Sequence, residues 1–370
     1  MKTVLVTGSK GFIGINLIEA LSRVKDVNLI TFNKEDTIDT LQSHLEKADF
    51  IYHLAGVNRS ERTEDFEAVN AGLTRTIIEI LEKLGKKTPI VMSSSLQAEL
   101  NNVYGLSKKK GEKMLVEHSQ KTNSPIYIYR LPNVFGKWSK PNYNSVVATF
   151  CYNISHGLDI WISDKNKELE LVYIDDVVKA FTELFDKDAN LNEQYYTIDH
   201  KFKITLGQLA ERIYQLRDIR KTLIIPDLCD ELMKCLHATY LSYLETDDFA
   251  YNLELKADQR GSLVELLKSK QFGQIFVSKT HSSIVRGNHY HNSKIEKFVL
   301  IQGKAVIKLR HIFSDKVISY PVSDEEIKVV DIPPGYTHSI ENAGDSEMIV
   351  LFWANEIFDP KNPDTYYKTV

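Results

Sequence analysis

Tyr104 and Lys108 are residues whose types and spacing suggest proton chemistry. Tyr104-Gly105-Leu106-Ser107-Lys108 has helical character, and a separation of four puts both side chains on one helix face. A free phenol titrates at about 10 and is a poor acid–base group at neutral pH, and a neighbouring ammonium would lower it. Upstream, Val91-Met92-Ser93-Ser94-Ser95 ends an apolar run in hydroxyls. A serine there could hydrogen-bond a substrate carbonyl beside the tyrosine. A second group lies towards the other end of the chain: His289-Tyr290-His291, then Glu296, then His338. Alternate residues of an extended run share a face, so the two imidazoles of His-x-His point the same way. Three imidazoles and a carboxylate can close on one divalent ion, and ligand type admits zinc, manganese or iron, zinc first. A lone His-x-His pair is commonly a surface or packing feature, and the second motif around His338 weighs against that.

A third group has nucleotide chemistry. Thr7-Gly8-Ser9-Lys10-Gly11-Phe12-Ile13-Gly14 follows an apolar run and opens a helical one. Gly8 and Gly11 allow a tight turn and close backbone approach, Gly14 lets the helix pack on the strand, and the helix start offers free N–H groups to a pyrophosphate. The next strand runs out at Ile30-Thr31-Phe32-Asn33-Lys34. An NAD site usually has an acid there for the ribose 2′-hydroxyl. Asn33 stands in its place and Lys34 could meet a 2′-phosphate, so the expected cofactor is NADPH.

Elements of two kinds must position these groups. Through about residue 245, apolar runs such as Lys2–Thr7, Val27–Phe32, Phe50–Leu54, Ile90–Met92 and Pro125–Tyr129 alternate with amphipathic segments, notably Glu67–Leu84 and Val103–His118. That alternation predicts a doubly wound parallel sheet of Rossmann type. From about Asp258 short β-rich runs follow one another: Phe272–Lys279, Ile295–Gln302, Lys304–Arg310, Lys316–Tyr320, Glu326–Ile332 and Glu347–Trp353. They predict an all-β sandwich or barrel. The expected domains are 1–245 and 246–370, after a last helix near Asp230–Leu241.

Composition narrows the function classes. With 46 Lys and Arg against 50 Asp and Glu, the net charge of −4 offers no basic excess for a nucleic-acid backbone. No apolar run approaches the roughly 20 residues of a membrane span. The start of the chain is broken by Gly8, Lys10 and Gly11, unlike a signal-peptide core. Cys151, Cys229 and Cys235 have no paired spacing and read as thiols of a reducing cytoplasm.

Taken together, the N-terminal motifs resemble the extended short-chain dehydrogenase/reductases. His53-Leu54-Ala55-Gly56, Val69-Asn70-Ala71-Gly72, Arg130-Leu131-Pro132-Asn133-Val134-Phe135-Gly136 and Val172-Tyr173-Ile174-Asp175-Asp176-Val177 extend the likeness over residues 1–240. It implies Tyr104 as proton donor, Lys108 as its modulator and ribose ligand, and Ser95, or failing it Ser94, as carbonyl polariser. It also implies Leu54, Ala55 and Gly56 at the cofactor and Asn133 at a nucleotide sugar. Family dehydratases carry an Asp-Glu pair after the active-site hydroxyl; Leu96-Gln97 stand there instead, which leaves a reductase.

The spacing H-x-H-x4-E-x6-G with P-x-G-x2-H-x3-N resembles the cupin signature and implies His289, His291, Glu296 and His338 as ligands. Asp258-Gln259-Arg260-Gly261, Glu265, Thr280-His281-Ser282 and Val285-Arg286-Gly287-Asn288-His289 are similar to the keto-sugar 3,5-epimerases. In those metal-independent cupins the counterpart of His289 is the base. Here the additional ligands argue for a metal. The likeness implies substrate contacts at Arg260, His281 and Arg286, and an arm, Asp258–Glu265, that packs on a neighbouring subunit of a homodimer. The fusion itself resembles a family of bifunctional capsular-polysaccharide enzymes. It implies C3 epimerisation of a UDP-4-keto-6-deoxy-HexNAc by the cupin. Reduction at C4 then gives UDP-2-acetamido-2,6-dideoxy-L-talose, on the route to UDP-L-FucNAc. The alternatives are a reductase whose cupin only dimerises or binds, and a non-catalytic NADP sensor.

Overall fold

A computed structural model describes the chain except for residues 61, 187–190 and 192. It divides into two compact units, residues 1–213 with 235–244 and residues 214–234 with 245–370.

In the first unit β1 (Lys2–Thr7), α1 (Phe12–Leu21), β2 (Val27–Phe32), α2 (Ile38–Lys47) and β3 (Phe50–His53) alternate strand with helix. A short α3 (Thr63–Phe66) and a π-helical turn, Glu67–Gly72, lead into α4 (Leu73–Leu84). Then come β4 (Ile90–Ser95), α5 (Val103–Thr122), β5 (Ile126–Leu131), β6 (Asn133–Phe135), α6 (Val146–Ser155), β7 (Glu168–Tyr173), α7 (Ile174–Glu183), β8 (Tyr195–Tyr196) and β9 (Phe202–Thr205). The main sheet has the order β2-β1-β3-β4-β5-β8 with every pairing parallel. Its strands are covered on both faces, as parallel sheets require. Val4 and Val6 pack on one side with Leu17, Tyr52 and Phe181, and Leu5 packs on the other with Ile51, Ile77 and Leu81. The strand order reverses between β1 and β3. Ligands of such sheets bind at the carboxyl ends of the strands beside that reversal, where the glycine loop and His53-Leu54-Ala55-Gly56 both lie. A second, three-stranded sheet has the order β6-β7-β9.

α8 (Leu206–Thr222) carries the division between units, and α9 (Glu231–Leu241) returns to the first. Residues 214–234 group with the second unit. There Ile225 N donates to Lys268 O (2.8 Å) and Lys268 N donates to Leu223 O (2.8 Å), which ties the segment to a strand of that unit.

The second unit is all β apart from its share of α8 and the start of α9. Its strands are β10 (Leu255–Asp258), β11 (Gly261–Ser269), β12 (Gly273–Thr280), β13 (Val285–Tyr290), β14 (Glu296–Gln302) and β15 (Lys304–His311). β16 (Val317–Ser323), β17 (Val329–Ile332), β18 (Tyr336–Asn342), β19 (Met348–Ala354) and β20 (Tyr366–Tyr367) complete it. Two sheets, β10-β11-β12-β19-β14-β17 and β16-β15-β18-β13-β20, enclose a core that includes Phe298, Ile307, Ile340, Val350 and Phe352. This is the expected cupin arrangement. The Asp258–Glu265 segment pairs within its own sheet: β11 lies on β12 from Gly261↔Thr280 onwards, and β10 folds back on β11 as an edge with all four residues exposed. Among the described residues no helix is long and apolar enough to cross a membrane, and all three cysteines are free thiols.

Candidate active sites

The glycine loop is built by close backbone contact. Gly8 N donates to Phe32 O at 2.8 Å and Gly11 N donates to Gly8 O at 3.0 Å. Gly8 takes a left-handed φ of 70°, and a Cβ at Gly14 would sit 2.9 Å from Ser9 Cα. Gly11 differs, since a Cβ there would meet only the Gly8 carbonyl oxygen, at 3.1 Å. The N-cap residue of α1, Gly11, makes no side-chain capping hydrogen bond to the first-turn amides. Asn33 Oδ1 accepts from Ser9 Oγ (2.9 Å) and Lys10 N (3.3 Å), while Lys10 Nζ pairs with Glu35 (3.2 Å) and Lys34 is exposed.

The tyrosine site rests on β4 and α5. Asn102 caps α5, accepting from Gly105 N at 2.8 Å, and so starts the helix two residues before Tyr104. Burial raises the Tyr104 phenol above its ordinary pKa, and a hydrogen bond with Ser95 opposes the rise. The expected lowering by Lys108 is not seen. The Lys108 ammonium, only 4% exposed, donates to Ser93 O at 3.1 Å. Burial brings its own pKa down to about 8, with the Glu112 charge opposing. Tyr104 Oη also donates to Asn58 Oδ1 (3.1 Å).

Ser94 is committed elsewhere, since its hydroxyl donates to buried Glu112 (2.5 Å), which Arg130 grips through Nε (3.0 Å) and Nη2 (2.6 Å). Of the two serines, Ser95 is thus the one beside Tyr104. The expected helix at Glu67 begins as the π-helical turn. There Asn70 ties Val57 and Ser107 together, accepting from Val57 N (2.9 Å) and donating to Ser107 Oγ (3.0 Å). Asn133 donates to Glu170 O at 3.1 Å from an exposed position.

In the second unit the four predicted ligands converge. One ligand atom each from His289, His291, Glu296 and His338 lies within 4.8 Å of the others. Strand β13 reaches this geometry through a bulge between Gly287 and His289, with Asn288 at a φ of 60°. Nε2 of His291 and of His338 lie 3.2 and 3.5 Å from Glu296 Oε2, and both nitrogens are buried without a hydrogen bond. Their Nδ1 atoms face carbonyl oxygens, Asp364 O at 2.7 Å and Tyr336 O at 3.2 Å. A carbonyl only accepts, so in the neutral imidazoles the proton sits on Nδ1 and the Nε2 lone pairs point at the cluster. Burial raises the Glu296 carboxyl, and hydrogen bonds and charge from His291 and His338 in their protonated form outweigh that and hold it well below the usual range. His289 is lowered to about 4 by burial and then by its neighbours His338 and His291, so it is neutral at pH 7.

A cavity of about 240 Å³ opens on this cluster. Stacked Phe276 and Phe352 (4.8 Å between centroids) give it an apolar wall, and Arg260 and Arg286 give it charge. Arg260 pairs with Asp258 (2.6 Å). Arg286 is held by Thr280 Oγ1 (2.9 Å), and among the described residues no carboxylate comes within ion-pair distance of it. Ser278 also lines the cavity, with a buried hydroxyl that has no hydrogen-bond partner. His281 is not among the lining residues; it pairs with Glu347 at 3.0 Å. Asn58, Glu112 and Ser278 were not singled out from the sequence, and Thr280 entered only as part of the Thr280-His281-Ser282 motif. Only Glu112, four residues beyond Lys108, carried a readable signal, that of the shared helix face.

The chain belongs to the NAD dependent epimerase/dehydratase family, which residues 4–198 match, and residues 256–366 match the polysaccharide biosynthesis C-terminal domain. It is thus an extended short-chain reductase domain joined to a cupin. Over almost its full length it is similar to CapF, the capsular polysaccharide assembling protein of Staphylococcus aureus. Identity is 43% and the TM-score 0.92, covering 99% of this chain and 100% of that one. The UDP-2-acetamido-2,6-beta-L-arabino-hexul-4-ose reductase of Pseudomonas aeruginosa is 42% identical over 363 residues, 98% of this chain and 97% of that one. A UDP-glucose 4-epimerase of Thermotoga maritima shares the fold alone, at 19% identity and a TM-score of 0.55 over 65% of this chain and 98% of that one.

Proposed function

We propose that the chain is a bifunctional nucleotide-sugar enzyme for capsular polysaccharide. In this reading residues 246–370 epimerise C3 of a UDP-4-keto-6-deoxy-HexNAc. Residues 1–245 then reduce C4 with NADPH, giving UDP-2-acetamido-2,6-dideoxy-L-talose. The observation that carries the reduction is the hydrogen bond between Tyr104 and Ser95, with Lys108 buried one helical turn further along α5. The full-length likeness to a UDP-keto-sugar reductase supports the substrate class.

The glycine loop fits a dinucleotide, because the start of α1 has no side-chain cap and a Cβ at Gly11 would meet only the Gly8 carbonyl oxygen. Asn33 and Lys34, where an acid would select NAD, favour NADPH. Gly8, Gly11, Phe12, Ile13 and Gly14 would hold the pyrophosphate, with Leu54, Ala55 and Gly56 alongside. The bound cofactor supplies a hydride to C4. Ser95 donates a hydrogen bond to the C4 oxygen, and Tyr104 Oη gives that oxygen its proton. A phenol raised by burial keeps its proton until this transfer. Lys108 would hold the ribose.

The cupin cluster fits a divalent metal, zinc by its imidazole-rich set, because Nε2 of His291 and of His338, both buried, converge on Glu296 Oε2 while their Nδ1 atoms are committed to carbonyls. A bound ion would supply positive charge that favours loss of the C3 proton. Arg286, without an acidic partner, and Arg260 would hold the anionic substrate, and Ser278 would hydrogen-bond the sugar. The C3 proton is acidic only while C4 is a ketone, so epimerisation must precede reduction.

The test uses Tyr104→Phe with a UDP-4-keto sugar in D₂O. NADPH consumption should fall at least about a hundredfold, while mass spectrometry still shows deuterium entering at C3. Loss of both in a folded variant would overturn the division of labour.

A further inference from the structure

His289 sits on β13, His291 just past its end, Glu296 on β14 and His338 on β18, and the segment bearing His289 and His291 is gripped at both ends by residues far along the chain. Ahead of His289 is the bulge residue Asn288. Its carbonyl accepts from Lys368 N (2.9 Å) and its Oδ1 accepts from Val370 N (3.2 Å). Between these points β20 pairs with β13, Tyr367 against His289 and Tyr366 against Tyr290. Behind His291, the Asp364 carboxylate gathers three successive amides, Asn292 N to Oδ1 (3.0 Å) and Ser293 N and Lys294 N to Oδ2 (both 2.8 Å), with Ser293 Oγ as a fourth donor (2.9 Å). Asp364 takes a left-handed φ of 40°, and its carbonyl oxygen receives the His291 Nδ1 proton at 2.7 Å.

We infer that Asp364 is a positioning residue for the metal site, and that residues 363–370 form the clamp through which it acts. Its carbonyl fixes the tautomer and ring plane of His291, and its carboxylate fixes the loop that follows. An ordinary surface turn would need neither a fourfold-satisfied carboxylate nor a left-handed non-glycine residue, which carries a local cost. Partners that orient a ligating histidine commonly change metal affinity by about 10- to 100-fold when removed.

The inference rests on the metal reading above, and the experiment separates the two. Full-length wild type, Asp364→Ala and Asp364→Asn are stripped of metal, and zinc binding is measured by competition with a chromogenic chelator. The thermal midpoint of each apo protein is recorded alongside. Asp364→Ala should bind zinc at least about tenfold more weakly. Asp364→Asn, which keeps a carboxamide oxygen for the amides, should fall between it and wild type and serves if the alanine variant does not fold. Unchanged zinc affinity with only a lower apo midpoint would make Asp364 a fold staple and overturn the inference. A wild type that takes up no zinc would remove the metal reading and the clamp with it.

Discussion

Lys108 sets opposite pH trends in activity and stability. Its folded pKa of about 8 lies below the ordinary 10.5, so the ammonium needed beside the ribose is lost as pH rises through about 8. The unfolded chain binds the extra proton between those values, so this group's contribution to stability increases with pH over the same window. We expect kcat/KM for NADPH, which reports the free enzyme, to decline with an apparent pKa near 8 while the thermal midpoint does not fall in step. A profile flat to about pH 10 would refute the role given to Lys108. The residues proposed to react were named from type and spacing: Tyr104 with Lys108, the hydroxyl run of β4, and the four metal-type residues, which the structure brings together. Their supports were not. Asn58, which accepts from Tyr104, and Asp364, which accepts from His291, are 46 and 73 residues away from the groups they serve. No local pattern marks a contact that only the tertiary fold brings about.

Strands and helices followed the hydrophobic pattern closely where that pattern was local. Lys2–Thr7 and Val27–Phe32 are strands over the expected residues, and Val103–His118 extends only to Thr122. The π-helical turn at Glu67–Gly72 escaped because helical periodicity cannot tell one turn geometry from another, and the bonds of Asn70 decide it. The connection between β4 and α5 joins the two elements that carry the proposed proton donor and carbonyl polariser. A single-turn 3₁₀ helix, Leu96–Glu99, joins them, and Gly105 packs against it. A Cβ at Gly105 would lie 2.9 Å from both the Gln97 carbonyl carbon and Leu100 O. Gly105→Ala should therefore push Ser95 and Tyr104 apart, costing about 1–3 kcal/mol of stability and at least about tenfold in kcat for reduction. Deuterium exchange at C3 should be untouched. Unimpaired reduction in this variant, measured by NADPH absorbance, would show that the turn tolerates the added carbon.

For the whole molecule we propose a homodimer built through the β-rich unit. β10 pairs only with β11, and its outer edge offers unpaired backbone groups beside Leu255, which is 63% exposed. Open edges of this kind are routinely covered by a second copy. Sedimentation should find a dimer for the full chain and a monomer for Leu255→Lys, and an unchanged dimer in that variant would place the interface elsewhere. The pairing of β20 with β13 also has a consequence for biosynthesis. The ribosome delivers His289, His291, Glu296 and His338 before Asp364 and β20. Until the later residues emerge, His291 lacks the carbonyl that sets its tautomer, and the site is only partly assembled on the nascent chain. The dinucleotide fold, encoded by the earlier residues, meets no such delay. A growing chain would therefore become competent for its cofactor well before it could grip a metal tightly, and a message cut short ahead of residue 363 would yield a protein with the first capacity and a weakened second.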